Sequence, residues 1–165
     1  MTNKLMQMIT QPRRINRSFA LAITVLALAA CGSNPTDRAA GPRVSVGDRA
    51  ASFALDQVGE PYRYGGSSPG GFDCSGLVQY SYSRAGYSVP RTTGQLWSAA
   101  ETVNRDQLRA GDLLFFSIEG KMSHVGLYLG EQRFVHAPQS GRLVSVESLQ
   151  APFYRMAFIR AGRLY

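Results

Sequence analysis

The chain has 165 residues, of which 44% are hydrophobic, so it is long enough to form one domain with a substantial core. Its formal net charge of +7 would suit a nucleic-acid-binding protein, but four of its 18 Lys and Arg residues lie in the first 17 positions. Removing residues 1–30 leaves 14 basic and 11 acidic residues, a net charge of +3 that gives no reason to expect a nucleic-acid partner.

The first 30 residues have the pattern of a secretory signal peptide. Residues 1–17 contain basic side chains and no acidic ones, and residues 18–30, SFALAITVLALAA, are uncharged and mostly apolar. This apolar stretch is too short to span a bilayer in the usual way. The small residues before Cys31 resemble the lipobox of bacterial lipoproteins, which implies cleavage before Cys31 and acylation of that cysteine. The alternative is an ordinary signal peptide that leaves Cys31 as a free thiol.

A flexible tether is predicted after the signal peptide. Residues 31–45, CGSNPTDRAAGPRVS, are small, polar and marked by Pro and Gly. By analogy with lipoprotein sorting, Gly32 in place of Asp favours the outer membrane, with the protein facing the periplasm. The remaining residues, 46–165, show no internal repeat and are predicted to form one domain.

Helical patterns occupy the first half of this domain. Apolar residues recur at helical spacing over residues 48–58 and again over residues 74–85, where Gly86 is a candidate C-cap. Residues 62–72, YRYGGSSPGGF, are predicted to be a loop. A short third helix is predicted in PRTTGQLWSAA, where two residues have capping-box spacing: Thr92 and Gln95.

After residue 110 the hydrophobic period changes from helical to extended. Turn residues separate five short strand candidates: DLLFFS, HVGLYLG, RFVHAP, RLVSVES and RMAFIRA. Helices followed by a run of antiparallel strands predict an α+β fold, with the helices packed on one side of a sheet of about five strands.

Cys74 is the strongest candidate for a nucleophile. If Cys31 carries lipid, Cys74 has no disulfide partner, although small exported domains usually pair their cysteines. Asp73 is a good N-cap, which would place Cys74 in the first turn of a helix. A helix N-terminus favours the thiolate and offers free N–H groups to an oxyanion, so we expect a lowered thiol pKa. The alternative is a structural cysteine on the apolar face of that helix.

The two histidines of the chain, His124 and His136, lie on neighbouring strand candidates. A turn near residues 130–132 would join these strands into a hairpin and bring both imidazoles to the same open end. A plain two-residue turn would place the two side chains on opposite faces of the sheet. We therefore predict a three-residue loop, a bulge, or a His124 outside regular pairing. A Cys–His pair with a group that orients the imidazole is the minimum for thiol catalysis.

A zinc site is the competing hypothesis for the same residues. Cys74, His124 and His136 could supply three ligands. Neither C-x-x-C nor H-x-x-x-H spacing is present to support it, so no metal is predicted.

Together these features resemble the NlpC family of papain-like cell-wall cysteine peptidases, over nearly all of residues 48–160. The lipobox and the loop before DCSG are most similar to the lipid-anchored, single-domain murein endopeptidases of Gram-negative bacteria. The resemblance implies a papain-like fold in which the catalytic cysteine begins a helix. The matching segments are GEPYRYGGSSPGGFDCSGLVQYSY, VPRTTGQ, AGDLLFF, SHVGLYLG and FVHAP.

The resemblance also implies the catalytic roles. Cys74 would attack the amide carbonyl, and His124 would take its proton and later deliver it to the leaving amine. His136 would orient His124.

Four further residues match family positions that surround the substrate. Tyr62 matches the tyrosine whose hydroxyl helps to bind the oxyanion. Asp73 and Ser75 match positions that line the substrate groove. Arg91 matches an arginine that either contacts the substrate or braces the loop.

The implied substrate is a peptidoglycan stem peptide, with no cofactor. We favour cleavage of the D-alanyl–diaminopimelate cross-link over the γ-D-glutamyl–diaminopimelate bond. The alternatives are an N-acetylmuramoyl-L-alanine amidase and a non-catalytic, lipid-anchored wall-binding module. The lipid on Cys31 would provide the contact with the membrane, and no motif identifies a periplasmic regulator or adaptor protein.

Overall fold

Four helices and eight strands make up residues 44–165, the part of the chain that the computed structural model describes. The predicted signal peptide, the predicted lipidation site Cys31 and most of the predicted tether lie outside the described residues. In chain order the elements are α1 (Val46–Leu55), β1 (Ser67–Ser68), β2 (Gly71–Phe72), α2 (Cys74–Arg84), α3 (Thr93–Ala99), β3 (Glu101–Val103), β4 (Leu113–Ile118), β5 (Lys121–Gly130), β6 (Arg133–His136), β7 (Ser145–Ser148), α4 (Pro152–Ala157) and β8 (Phe158–Arg163).

The first helix, α1, begins two residues earlier than the apolar spacing predicts. Ser45 and Asp48 form a capping box, in which each side chain accepts a hydrogen bond from the backbone N–H of the other. The helix ends at Leu55 rather than Val58, and its buried face is made of small residues that allow close approach to α2.

The second helix, α2, has the predicted signals at both ends. Asp73 caps its N-terminus, and Gly86 follows its C-terminus with a φ of 83°. The N–H of Gly86 donates to the carbonyl of Ser83 at 3.0 Å, and the N–H of Tyr87 donates to that of Tyr82 at 2.9 Å. This pair of bonds is a Schellman motif, which requires a left-handed residue that glycine supplies without strain.

Six antiparallel strands form the main sheet in the order β3-β8-β4-β5-β6-β7. Residues alternate between its faces: Leu113 and Phe115 pack in the core beneath the helices, whereas Leu114 and Phe116 pack with α4 on the other face. The predicted α+β fold is confirmed, but α4 packs on the face opposite to the other helices, whereas all helices were expected on one side of the sheet. The sheet gains its sixth strand from β3, which was not predicted because three exposed or half-buried residues carry no strand pattern.

No helix within residues 44–165 has the length and apolar character needed to cross a membrane.

The hairpin of β5 and β6 contains a bulge, which is one of the three predicted alternatives. Leu127 pairs with Val135 and Tyr128 with Phe134, but Gly130 pairs with Arg133, so the register shifts by one residue at position 129. The extra residue offsets the two-residue turn at positions 131 and 132. As a result, the side chains of the two histidines lie on the same face of the sheet.

Candidate active site

The predicted nucleophile, Cys74, is the first residue of α2 and lines a cavity of about 490 Å³. The side chain of Asp73 caps the helix by accepting a hydrogen bond of 2.7 Å from the backbone N–H of Gly76. Other N–H groups of the first turn lack partners within the helix and are available beside the thiol. The same cavity brings together all the residues predicted for oxyanion or substrate binding: Tyr62, Asp73, Ser75 and Arg91.

The glycine-rich loop before the nucleophile lies directly against the start of α2. The carbonyl oxygen of Gly66 accepts a hydrogen bond of 3.0 Å from the backbone N–H of Asp73. A Cβ atom added at Gly76 would overlap with this same oxygen. The loop is fixed further along by the carboxylate of Glu60, which accepts a bond of 2.7 Å from the N–H of Gly70. The close approach of backbone to helix explains why the fourth residue of DCSG is glycine.

Arg91 braces this junction from the segment before α3. Its guanidinium donates to both carboxylate oxygens of Asp73, at 2.9 and 2.6 Å, and to the hydroxyl of Ser75 at 2.9 Å. Another bond of 3.3 Å reaches the carbonyl of Gly66. Burial opposes the ionisation of Asp73, but the hydrogen bonds from Arg91 and from the backbone of Gly76 outweigh it, and the pKa of Asp73 is lowered. These contacts favour bracing over substrate binding as the role of Arg91.

A side-chain hydroxyl and several backbone groups contact the Cys74 thiol. Its sulfur lies 3.7 Å from the hydroxyl oxygen of Thr93 and 3.9 Å from the carbonyl oxygen of Ser123. The helix N-terminus is present, but burial raises the pKa of the thiol and outweighs the hydrogen bonds from Thr93 and from the backbone of Val125 and Ser75. The predicted lowering of the thiol pKa is therefore wrong in sign, and the resting cysteine is a neutral thiol.

The two histidines form a buried, hydrogen-bonded pair. Nε2 of His124 lies 2.7 Å from Nδ1 of His136, and the residues are 4% and 1% exposed. Burial lowers the pKa of His124 to about 4. Burial and the neighbouring charges of His124 and Arg142 lower the pKa of His136 to about 3. Both imidazoles are neutral at pH 7. In the tautomer in which Nε2–H of His124 donates this bond, Nδ1 of His124 is left to accept a proton.

Within residues 44–165, no hydrogen bond joins the Cys74 thiol to His124 in this resting structure. The thiol contacts the carbonyl of Ser123, which directly precedes His124 on β5. Catalytic hydrogen bonds are commonly long before substrate binds. The fold therefore brings the predicted nucleophile to the strand that carries the predicted base, without a hydrogen bond between the two side chains.

The geometry of the histidine pair does not favour zinc. Two imidazole nitrogens on one tetrahedral zinc ion, each at about 2.1 Å, lie about 3.4 Å apart. The observed separation of 2.7 Å is that of a hydrogen bond between His124 and His136. Among residues 44–165, no group of three or more His, Cys, Asp or Glu side chains is placed to hold a metal ion.

Tyr62 lies in the cavity of the nucleophile. Burial, followed by the negative charges that Cys74 and Asp73 can carry, raises the pKa of its phenol. Tyr62 therefore keeps its proton at neutral pH and can donate a hydrogen bond to a developing oxyanion. Its backbone N–H donates to the carbonyl of Arg142 at 2.9 Å, which ties this segment to the loop after β6.

Two residues that were not predicted from the sequence contact the predicted catalytic groups. Thr93 reaches the thiol from the start of α3. The hydroxyl of Tyr154, on α4, lies 3.4 Å from Nε2 of His136. Thr93 belongs to the matching segment VPRTTGQ, which is a signal that could have identified it, whereas no motif surrounds Tyr154.

Comparison with known proteins supports the predicted resemblance. The murein DD-endopeptidase MepH of Escherichia coli strain K12 is 38% identical over 116 residues, which cover 67% of this chain and 43% of MepH. The murein DD-endopeptidase MepS/murein LD-carboxypeptidase of the same strain is 32% identical over 170 residues, which cover 88% of this chain and 89% of that protein. The chain spans less than half the length of MepH, of the bifunctional muramidase/DL-endopeptidase CwlT of Bacillus subtilis and of the probable endopeptidase YafL of Escherichia coli.

The fold is shared with solved structures. The crystal structure of an NlpC/P60 family protein from Bacillus cereus superposes with a TM-score of 0.67 at 31% identity, covering 72% of this chain and 40% of that one. The model of the NlpC/P60 family matches residues 59–163, which is more than half of the sequence. Like those relatives, and as the motifs predict, the chain belongs to the NlpC/P60 family.

Proposed function

We propose that this protein is a peptidoglycan endopeptidase that hydrolyses an amide bond by thiol catalysis at Cys74. The observation that carries the proposal is the buried bond between His124 and His136. This bond occupies Nε2 of His124 and leaves Nδ1 to serve a thiol on the neighbouring helix. The names of MepH and MepS, both murein DD-endopeptidases, supply the substrate class.

The protonation states define the first chemical step. The thiol and the imidazole are both neutral at pH 7, so His124 acts as a general base rather than as half of a preformed ion pair. As the Cys74 sulfur bonds to the carbonyl carbon, its proton moves to Nδ1 of His124. The π electrons of the carbonyl move to the oxygen, and the hydroxyl of Tyr62 and free N–H groups of the first turn of α2 donate hydrogen bonds to it.

The second half of the reaction reverses the proton transfer. The tetrahedral intermediate collapses to a thioester, the carbon–nitrogen bond breaks, and His124 gives its proton to the leaving amine. A water molecule then attacks the thioester, with His124 again as base, and the thiol is restored. His136 supports each transfer because its Nδ1 accepts the hydrogen bond from Nε2–H of His124, which stabilises the imidazolium.

The groove that would hold the stem peptide is lined in part by the ion pair of Asp73 and Arg91. Asp73 and Arg91 compensate each other, so neither presents an unpaired charge to the substrate. The phenol ring of Tyr64 lies at the cavity and is 90% exposed, which leaves it free to contact a bound peptide. We propose the D-alanyl–diaminopimelate cross-link as the scissile bond, with the γ-D-glutamyl–diaminopimelate bond as the alternative.

The localisation is part of the proposal. Lipidation of Cys31 would anchor the domain to the outer membrane through the tether of residues 31–45, with the active site in the periplasm. Incorporation of radiolabelled palmitate, lost in Cys31→Ser, tests the anchor independently of the enzymatic activity.

The experiment that tests the activity is digestion of purified sacculi followed by mass spectrometry of the products. The wild-type protein should convert cross-linked muropeptides into monomers, and Cys74→Ala should release none while melting at an unchanged temperature. Retained activity in Cys74→Ala would overturn thiol catalysis at this residue. Sugar chains free of peptide would identify an amidase, and cleavage by neither protein would leave a wall-binding module.

A further inference from the structure

Thr93 is held beside the nucleophile by the capping of α3. It is the first residue of that helix and follows the N-cap Thr92, which exchanges hydrogen bonds with Gln95 in a capping box. This fixed helix start directs the half-buried Thr93 side chain into the cavity of Cys74, where its oxygen lies 3.7 Å from the sulfur. Among residues 44–165, this is the hydrogen bond that the Thr93 hydroxyl makes.

The direction of this hydrogen bond follows from the second neighbour of the sulfur. The carbonyl of Ser123, at 3.9 Å, has no proton and can only accept, so it takes the S–H proton of the resting thiol. The Thr93 hydroxyl can donate or accept, and with the S–H proton directed at Ser123 it is left to donate to the sulfur. When the thiol loses its proton, the sulfur can no longer donate to the carbonyl of Ser123, whereas the bond from Thr93 becomes charge-assisted and stronger.

We propose that Thr93 is a catalytic residue whose hydroxyl donates a hydrogen bond to the Cys74 sulfur and stabilises the negative charge that develops there during attack. The proton of the thiol goes to Nδ1 of His124, and the electron pair of the S–H bond forms the bond to the carbonyl carbon. Thr93 keeps its own proton throughout, so it acts as a donor and not as a base.

The Thr93 hydroxyl is important because the environment of the sulfur otherwise disfavours the thiolate. Burial raises the pKa of the thiol, and the bond from Thr93 is the largest of the effects that oppose this rise. The remaining donors are the backbone N–H groups of Val125 and Ser75, which mutation does not remove. Thr93 is therefore the side chain through which the reactivity of the thiol can be changed with the fold intact.

The test measures the thiol itself and needs no peptidoglycan. Iodoacetamide alkylates the thiolate with loss of iodide. In Cys31→Ser protein, which keeps Cys74 as its one cysteine, the dependence of the rate on pH gives the pKa of Cys74. Thr93→Val, which keeps the shape and removes the hydroxyl, should raise this pKa by about one unit. Thr93→Ser should restore a value near that of the wild type. Thr102→Val is the matched control. Thr102 lies on the exposed strand β3, and its hydroxyl accepts a hydrogen bond from Arg160, so its removal should leave the pKa of Cys74 unchanged.

An unchanged pKa in Thr93→Val overturns the proposal. A lowered pKa also overturns it, because it would show that Thr93 accepts a bond from the neutral thiol. If Thr93→Val does not fold, Thr93→Ala gives the same comparison with a smaller side chain.

The expected effect of Thr93 on catalysis rests on the proposed function and is measured in a separate assay. With cross-linked muropeptides, Thr93→Val should lower kcat by about 10-fold with little change in KM. If the wild-type protein cleaves nothing, the proposed function fails, and the alkylation result still decides whether Thr93 stabilises the thiolate. If the wild type is active and Thr93→Val matches it in both assays, the inference about Thr93 fails alone.

Discussion

The two halves of the candidate active site are built by different physical means. The nucleophile half consists of a glycine loop, a helix start and the Asp73–Arg91 pair, joined by directional hydrogen bonds to backbone and charged groups. The base half places His124 and His136 in a cluster with the rings of Phe116, Phe134 and Tyr154. Polar contacts thus fix where the sulfur sits, whereas burial among aromatic rings keeps the imidazoles neutral. We therefore expect the nucleophile half to be sensitive to changes in shape and the base half to be sensitive to changes in protonation.

The largest effect is expected from filling the space between loop and helix on the nucleophile side. Gly76→Ala places a methyl group where the carbonyl of Gly66 lies, and neither backbone segment can yield as a flexible side chain would. We expect a loss of about 3 kcal/mol in the free energy of unfolding and loss of activity in any protein that folds. Urea unfolding and muropeptide release measure the two effects.

Gly94→Ala is the matched control for that substitution. Gly94 lies in α3, and an added Cβ would meet no atom within 4 Å. Alanine should stabilise this helix by about 0.5 kcal/mol, since it has the higher helix propensity. If Gly76→Ala were as harmless as Gly94→Ala, the loop–helix contact would not position the nucleophile.

The base half should respond to pH more than to shape. The pKa of His124 is about 4 in the folded protein and about 6.5 when unfolded, so the unfolded state binds more protons between these values. The free energy of unfolding should therefore fall as the pH decreases from about 6.5 to about 4. For each histidine we expect a loss on the order of 2 kcal/mol between about pH 6.5 and about pH 5. Urea unfolding at a series of pH values measures the slope.

His136→Asn sharpens this prediction. It keeps an acceptor for Nε2–H of His124 but removes one titrating group, so the slope between about pH 5 and about pH 6.5 should become shallower. Asp73 contributes in a different window, because its lowered pKa gives stability that is lost only below its usual value of 3.8. A wild-type profile that is flat from about pH 4.5 to about pH 6.5 would contradict the neutral, buried pair.

The smallest effect is expected from removing the hydroxyl of Tyr154, which lies next to His136 in the base half. Tyr154→Phe keeps the ring that packs against His136 and removes the hydroxyl 3.4 Å from Nε2. Because this is one long, neutral hydrogen bond, kcat should fall by about two- to tenfold with an unchanged melting temperature. Tyr87→Phe, which removes a hydroxyl bonded to the carbonyl of Leu164, should leave kcat unchanged. Equal kcat values for the two variants would show that the hydroxyl of Tyr154 plays no part.

The features that could be predicted from the sequence are those whose cause is local. Asp73, Gly86 and the Thr92–Gln95 capping box act within a few residues of their own position, and each has its expected partner. An irregularity between β5 and β6 could be predicted because strand alternation permits only certain registers, but the choice of a bulge among the three alternatives came from the structure.

The features that were missed depend on contacts between distant segments. Arg91 was predicted as a site residue, but its bond to Asp73, 18 residues away, was not. The contact of Thr93 with Cys74, across 19 residues, was missed altogether. The predicted sign of the thiol pKa shift was wrong because it considered only the helix N-terminus, which nearby residues specify. The burial that raises the pKa depends on the whole fold. Tyr154 lies on α4, a six-residue helix too short to show a hydrophobic period.

The bulge at position 129 also constrains how this hairpin can change during evolution. His124 and His136 are 12 positions apart, and the extra residue sets the parity of their pairing. Insertions or deletions of two residues between them preserve that parity. A single-residue change reverses it and turns one imidazole to the opposite face, unless a second bulge compensates. The length of this connection should therefore vary among active relatives in steps of two, even where its sequence drifts freely.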